Sequence, residues 1–374
     1  MSKFTKRTLA IVLALAMILA LAACGGKNDN GSSDFDAYKI GYNTWGAGTA
    51  TFDFMADVTE DALDAFGISD YSRSSDEHMA DKELQNIQNF ISAGVDGIIM
   101  QTTAEPVLPQ AAEECEKAGI PFVLATFTGN DDDRAVINAN NSVYVGSVAA
   151  DKYAEGYIIG KAAAADGHKT AVMLGGNVGD NHMEMRIAGF TQAFVTEGGG
   201  TILDEARCAS PAEGQEKANA MLSATPNADC LFAMVGDYVP GAINAMGTLG
   251  LSIPVYVTNA NTDAIPYIRD GSVAAATTGN DLVSAVAAAL LINYLDGHPI
   301  LDKDGKAPEL SSVGFEVNKD NVDDYEALFL NGKPLTETVL QSLVYRYNDK
   351  VDYDYIVDFL DNHLTLEALK ADQG

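Results

Sequence analysis

The sequence predicts an α/β fold of two doubly wound, Rossmann-like lobes, each built on a parallel sheet and joined by a hinge of several chain segments. A length of 374 residues allows two or three domains. Continuous apolar runs at residues 95–100 and 121–125 are typical of strands buried on both faces. Stretches with helical spacing, such as Leu84, Ile87 and Ile91, alternate with these runs. Repeated strand–helix units imply parallel strands with helices on both faces of each sheet.

The first lobe is predicted to comprise residues 38–140 plus about 281–312. Gly94 and Gly119 each stand where a helix should end before a buried strand. The predicted strands and helices of this lobe are 39–43, 52–66, 84–91, 95–100, 105–120, 121–125 and 281–296.

The second lobe is predicted to comprise residues 141–280 plus about 313–374, with an irregular tail. We expect two crossing segments between the lobes at Asn140–Asn141 and Gly279–Asn280, because Gly and Asn tolerate unusual backbone angles. The predicted elements are a long helix at 143–165, strands at 169–175, 230–235, 254–258 and 274–278, and helices at 182–197 and 243–249.

Composition excludes several classes of protein. The chain has 53 acidic and 23 basic residues, a net charge of −30, which argues against nucleic-acid binding and against a basic membrane-binding face. Four cysteines in this length exclude a disulfide scaffold. A Cys208–Cys230 disulfide stays open on the sequence alone.

The first 23 residues have the features of a secretory signal peptide. Three basic residues precede an apolar run, Leu9–Ala23, that is too short to span a membrane. The run ends in Leu-Ala-Ala-Cys, which resembles a bacterial lipobox and implies cleavage before Cys24 and acylation of its thiol. Plain secretory cleavage is the alternative. Residues 24–37 are then a flexible tether that anchors an extracytoplasmic domain to the cell membrane.

Candidate ligand-binding residues follow the predicted strands, because ligands of open parallel sheets bind beyond the carboxyl ends of the strands. The candidates are mostly amides, hydroxyls and aromatic rings, which suit a neutral polar ligand with one apolar face. An anionic ligand would need more cations than these positions supply. The predicted ligand-binding residues are Asn43, Trp45, Gln101, Thr126, Phe127, Asn140, Arg186, Asp237, Asn259 and Asn280.

Structural roles compete with ligand binding at several of these positions. Trp45 could stack on the ligand or pin its own loop. Asp237 could contact the ligand or cap a helix, and Asp180 is first a helix N-cap. Arg186 could contact the ligand or pair with an acid such as Asp180.

Signatures of catalysis are missing from the sequence. There is no G-x-S-x-G, H-E-x-x-H or P-loop pattern, and the five histidines show no metal-ligand spacing. Residues 175–179 (GGNVG) lack the G-x-G-x-x-G spacing of a dinucleotide loop. We therefore predict a binding protein without catalytic residues, cofactor or metal.

The order of units from residue 38 to about 297 resembles the type I periplasmic-binding-protein superfamily, most closely its ribose- and galactose-type branch. The resemblance rests on SAGVDGII (92–99), KAGIPFV (117–123), Arg186-x-x-Gly189-Phe190 and DGSVAAATTGN (270–280). It implies a ligand in the cleft between two lobes, hinge closure, a monomer, and delivery by lipidated members to the permease of an ABC importer.

Single positions match this family unevenly. Asn259, Asn280 and Gln101 fall where the family has ligand-binding polar residues. Thr126-Phe127 replaces an expected Asp-Arg pair, and Glu184 replaces a sugar-contacting Arg. The resemblance therefore favours a monosaccharide but leaves a nucleoside, a polyol or a quorum signal open. A receptor that signals to a sensor kinase or chemoreceptor is the alternative to transport.

Overall fold

The computed structural model describes residues 37–48, 50–102, 107–208, 210–278 and 281–374. The predicted signal peptide, most of the tether with its acylation site Cys24, and the candidate residue Asn280 lie outside these residues.

The first lobe is built on a six-stranded sheet in which every neighbouring pair is parallel, in the order β2-β1-β3-β4-β5-β11. Its strands are β1 (Lys39–Thr44), β2 (Asp70–Ser75), β3 (Gly97–Met100), β4 (Phe122–Thr126), β5 (Tyr144–Ala150) and β11 (Glu309–Ser312). Its helices are α1 (Ala50–Ala65), α2 (Ala80–Ser92), α3 (Leu108–Ala118), α4 (Asp131–Asn140) and α10 (Val283–Leu295).

The second lobe contains another six-stranded sheet, in the order β7-β6-β8-β9-β10-β12, in which only the β10–β12 pair is antiparallel. Its strands are β6 (Thr170–Leu174), β7 (Thr201–Ala206), β8 (Cys230–Ala233), β9 (Val255–Val257), β10 (Val273–Thr277) and β12 (Glu316–Val317). Its helices are α5 (Lys152–Ala165), α6 (Asn181–Thr191), α7 (Pro211–Ala224), α8 (Val239–Leu249) and α9 (Ile265–Asp270).

The continuous apolar runs are strands buried on both faces. Within β3, Ile98 and Ile99 point to opposite faces and join different apolar clusters. Gly119 ends α3 with a left-handed φ of 69°, which turns the chain into β4. These features confirm the predicted class of two doubly wound, parallel-sheet lobes.

The predicted long helix at 143–165 is wrong in its first third, which forms strand β5. Val145 and Val148 are buried there, with the strand paired between β4 and β11. Helix α5 begins only after Asp151, whose side chain accepts a hydrogen bond from the Ala154 amide. The first sheet therefore extends to Ala150, ten residues beyond the boundary predicted at 140/141.

Asn140 is consequently not part of a crossing segment. It is the last residue of α4, and its side-chain amide donates to the Val136 carbonyl one turn earlier.

The chain crosses between the sheets after β5, after β10 and after β11, and these crossings are hydrogen-bonded to one another. The Asp151 amide donates to the Ser312 carbonyl at 3.0 Å, which joins the first and third crossings. The Thr278 amide donates to the Phe315 carbonyl at 2.9 Å, which joins the second and third. These three crossings are thus hydrogen-bonded parts of a hinge that is made of several chain segments.

The tail divides between the lobes, which corrects its assignment to the second lobe. A short helix, α11 (Val322–Tyr325), belongs to the second lobe, where the Tyr325 hydroxyl donates to the Ala260 carbonyl. The chain then returns to the first lobe as α12 (Glu337–Gln341), α13 (Tyr353–Asp358) and α14 (Leu366–Ala371).

Buried polar contacts fix this return. Asn293 of α10 donates to the Leu343 carbonyl and accepts from the Tyr345 amide. Arg346 pairs with Asp296 and donates to the Phe66 carbonyl. Few of these partners follow a helical or strand period in sequence, so periodicity could not assign the tail.

Candidate functional site

A cavity of about 840 Å³ lies where the carboxyl ends of the strands of both sheets face each other. Small-molecule sites commonly have volumes of roughly 300–1,000 Å³. The first lobe supplies Trp45, Thr51, Phe52, Met55, His78, Thr102, Phe127 and Gly129. The second lobe supplies Lys152 at the start of α5, Gly176–Met183, Arg186, Val235, Asp237, Tyr238 and Asn259, and the crossing after β10 supplies Asp281.

Aromatic rings from both lobes form one wall, which we call the ring wall: Trp45, Phe52, His78, Phe127 and His182. The Trp45 ring lies 4.2 Å from Phe127 and 5.5 Å from His182, centroid to centroid. His182 comes from the second lobe, so the ring wall bridges the cleft. Burial lowers the pKa of His78, which favours its neutral form in this wall.

Two predicted ligand residues lie beneath the ring wall instead of lining the cavity. Gln101 accepts a hydrogen bond from the Trp45 amide at 3.0 Å and donates to the Tyr42 hydroxyl. Asn43 donates to Asp76 and to the Gln101 carbonyl. Asn43 and Gln101 are therefore positioned to hold the Trp45 loop, a role that strand-end position alone does not reveal.

Two non-glycine residues at strand ends have left-handed backbone. Thr126, the last residue of β4, and Asn259, which follows β9, both have a φ of 61°. This conformation is rare for a β-branched residue, and such strain concentrates at functional sites. It directs the following Phe127 into the cavity, whereas Thr126 itself is buried and does not line it. Asn259 lines the cavity directly.

A buried ion cluster supports the second-lobe side of the cavity. Glu155 accepts from Lys152 Nζ at 2.8 Å and from Arg186 Nε at 2.9 Å, and all three side chains are buried. Burial would raise the pKa of Glu155, but the two cations outweigh it and hold that pKa below its usual range. Arg186 lines the cavity and pairs with Glu155, whereas the sequence suggested an acid such as Asp180.

The aspartates of the second lobe have different environments. Asp180 caps α6, accepting from the His182 and Met183 amides, as predicted. Asp237 lines the cavity and accepts from the Asn261 side chain, while burial and the nearby Asp263 raise its pKa.

Sequence reasoning missed Asp281, which lies in a crossing segment, and Lys152, the first residue of α5, which directly follows a crossing. A crossing becomes visible only when strand pairing is known, so neither residue carried a signal. His78 and His182 were also missed, because their roles depend on loops that meet only in the folded chain.

The structure also describes the cysteines and the apolar character of the helices. Cys208 and Cys230 are free thiols, so the disulfide left open is not formed. In the described part of the chain, no helix has both the length and the apolar character needed to cross a membrane.

Two lobes, a hinge of crossing segments and a cavity between strand ends define a two-lobe ligand-binding protein. A sequence model of the family described as "Periplasmic binding protein domain" matches residues 40–299, more than two thirds of the chain. The chain belongs to this family of extracytoplasmic binding proteins and is of its ribose- and galactose-binding type.

Individual relatives are distant. A ribose import binding protein of Salmonella typhimurium is 25% identical over 195 residues, which span 52% of this chain and 63% of that protein. The galactofuranose-binding protein of Escherichia coli is 26% identical over 244 residues, 61% of this chain and 71% of that protein. A solute-binding protein of Actinobacillus succinogenes, solved with D-allose, has a TM-score of 0.69 at 21% identity, covering 77% of this chain and all of that one.

Glu155→Gln should strongly destabilise the fold, because it leaves two buried cations without a counter-charge. We expect a loss of about 3–5 kcal/mol in the free energy of unfolding, measured by chemical denaturation. Glu184→Gln is the matched control: its partner is Arg207 in a half-exposed ion pair, worth about 1 kcal/mol or less. Equal losses for the two variants would contradict a structural role of the buried cluster.

Proposed function

We propose that this chain is an extracytoplasmic, lipid-anchored solute-binding protein that captures a neutral monosaccharide by hinge closure and delivers it to the permease of an ABC importer. The observation that carries the proposal is the cavity itself, lined by rings and polar groups from both lobes and from the crossings. The relatives named above bind ribose, galactofuranose or D-allose, which supports a sugar as the ligand.

The charges around the cavity favour a neutral ligand. Lys152 and Arg186 both form ion pairs with Glu155, and the Asp180 side chain caps the start of α6. An anionic ligand would meet Asp237 and Asp281 without a free cation among the described lining residues. The ring wall offers an apolar surface of the kind on which a sugar ring stacks.

Closure follows from the two-lobe geometry. A ligand that contacts both lobes binds the closed form more tightly and shifts the population towards it by that difference in affinity. The closed surface would then be recognised by the permease. Neither step needs a catalytic residue or a cofactor, so binding and release are the whole proposed activity.

Trp45→Ala should weaken monosaccharide binding by about 1–3 kcal/mol, through loss of ring stacking. Isothermal titration calorimetry with a panel of aldoses measures the affinity, and a saturable shift in Trp45 fluorescence reports binding to the wild type. The melting temperature of the ligand-free variant serves as the control for folding. Normal binding with early melting would instead make Trp45 a packing anchor.

Cys24→Ala should move the protein from the membrane fraction to the soluble or secreted fraction, because it removes the proposed acylation site. Fractionation and immunoblotting of the producing cells measure this. A Cys115→Ala variant, which changes a buried core thiol, is the control and should stay with the membrane. Membrane association of Cys24→Ala equal to wild type would contradict the lipid anchor.

A further inference from the structure

Asp281 occupies an unusual place in the hinge. It follows β10 and precedes α10, so it lies where the chain passes from the second lobe to the first. Its carbonyl accepts hydrogen bonds from the amide and the hydroxyl of Ser284. Its side chain is only 4% exposed, yet it lines the cavity.

The carboxylate of Asp281 has one oxygen without a partner. Oδ1 is buried and accepts no hydrogen bond from any residue in the described ranges. Burying an unpaired carboxylate is costly, so such a group is expected to meet a partner from outside the chain. Burial raises the pKa of Asp281 to about 6. The carboxyl group is therefore ionised at neutral pH, although burial disfavours its charged form.

The charged groups around Asp281 do not supply that partner. Lys152 and Arg186 favour its ionised form, but both are bonded to Glu155, which opposes it. No ion pair joins Asp281 to a cation among the residues the structure describes. The remaining titratable groups that sense its charge are the hydroxyls of Tyr42 and Tyr325.

Two more buried polar atoms of lining residues lack partners within the described chain. Trp45 Nε1 can only donate a hydrogen bond, whereas Thr102 Oγ1 can donate or accept one. Asp281 Oδ1 can only accept when ionised. A hydroxylated ring satisfies this combination, because each hydroxyl both donates and accepts. A carboxylate ligand cannot donate to Asp281 and would be repelled by it.

Resting on the proposed function, we propose that Asp281 is a specificity-determining residue that accepts a hydrogen bond from one ligand hydroxyl, so that the cleft closes only over a ligand that supplies this donor. Without the donor, Oδ1 of Asp281 stays buried and unpaired, at a cost that a suitably placed ligand hydroxyl removes.

The test uses the mature full chain and a panel of D-ribose, D-galactose, D-allose and L-arabinose. The tightest-binding sugar is then compared with its singly deoxygenated analogues by calorimetry, for the wild type and for Asp281→Asn. We expect Asp281→Asn to bind the parent sugar at least tenfold more weakly. One deoxy analogue should lose at least tenfold against the wild type, and the variant should discriminate less between that analogue and the parent sugar, because a neutral amide oxygen accepts a weaker hydrogen bond than a carboxylate. Asp349→Asn, on the exposed tail, is the control and should match the wild type.

Thermal melting without ligand separates this role from a structural one. Because burial raises the pKa of Asp281, its charge costs stability above about pH 6, and the cost disappears as the group is protonated at lower pH. Asp281→Asn should therefore melt no earlier than the wild type at pH 7.5, with the difference shrinking below pH 6. A structural aspartate would give an earlier-melting variant.

The outcomes distinguish the two proposals. Failure of every sugar in the panel to bind the wild type would overturn the monosaccharide function and this inference together. Sugar binding that is equal in wild type and Asp281→Asn, with the same response to every deoxy analogue, would overturn the role of Asp281 alone. An early-melting variant would do the same.

Discussion

Strand direction is the constraint on which the rest of this molecule depends. In each sheet the central strands are parallel, so their last residues all emerge at one edge. The two edges face a common cleft, so the residues that follow the strands lie at this cleft. Trp45 after β1, Phe127 after β4 and Asn259 after β9 all reach the same cavity for this reason.

The crossings connect the two lobes and form the hinge between them. They are joined to each other through backbone hydrogen bonds between Asp151 and Ser312 and between Thr278 and Phe315, so they form one hinge. The buried cluster of Lys152, Glu155 and Arg186 then ties the first crossing to the second-lobe wall. The site is thus supported from the second lobe, while the first lobe contributes most of the ring wall.

Much of the fold could be predicted from sequence because strands buried on both faces leave continuous apolar runs. The same rule failed for β5, since Ala149 and Ala150 are small residues that suit a helix at least as well as a strand. The strand-end rule named Trp45 and Phe127, which line the cavity, and their contact with a ligand stays a prediction. It could not tell that Asn43 and Gln101 turn inward to hold a loop, because the orientation of an amide depends on its partners.

The sequence alone could not predict that residues in or next to the crossings line the cavity. Lys152 and Asp281 gain their position from the pairing of β5 with β11 and of β10 with β12, which no local pattern reveals. Their chemistry nevertheless decides how the cavity is charged. The chain topology brings the residues of a site between two lobes together. Only the residues at strand ends can be predicted from the sequence.

The central claim is that a sugar bound between the lobes closes them. Small-angle X-ray scattering of the mature protein, with and without a saturating monosaccharide of calorimetrically established affinity, tests it most directly. Closure gives a smaller radius of gyration in the bound protein, and removal of the sugar restores the larger radius. An unchanged radius at full occupancy would contradict it.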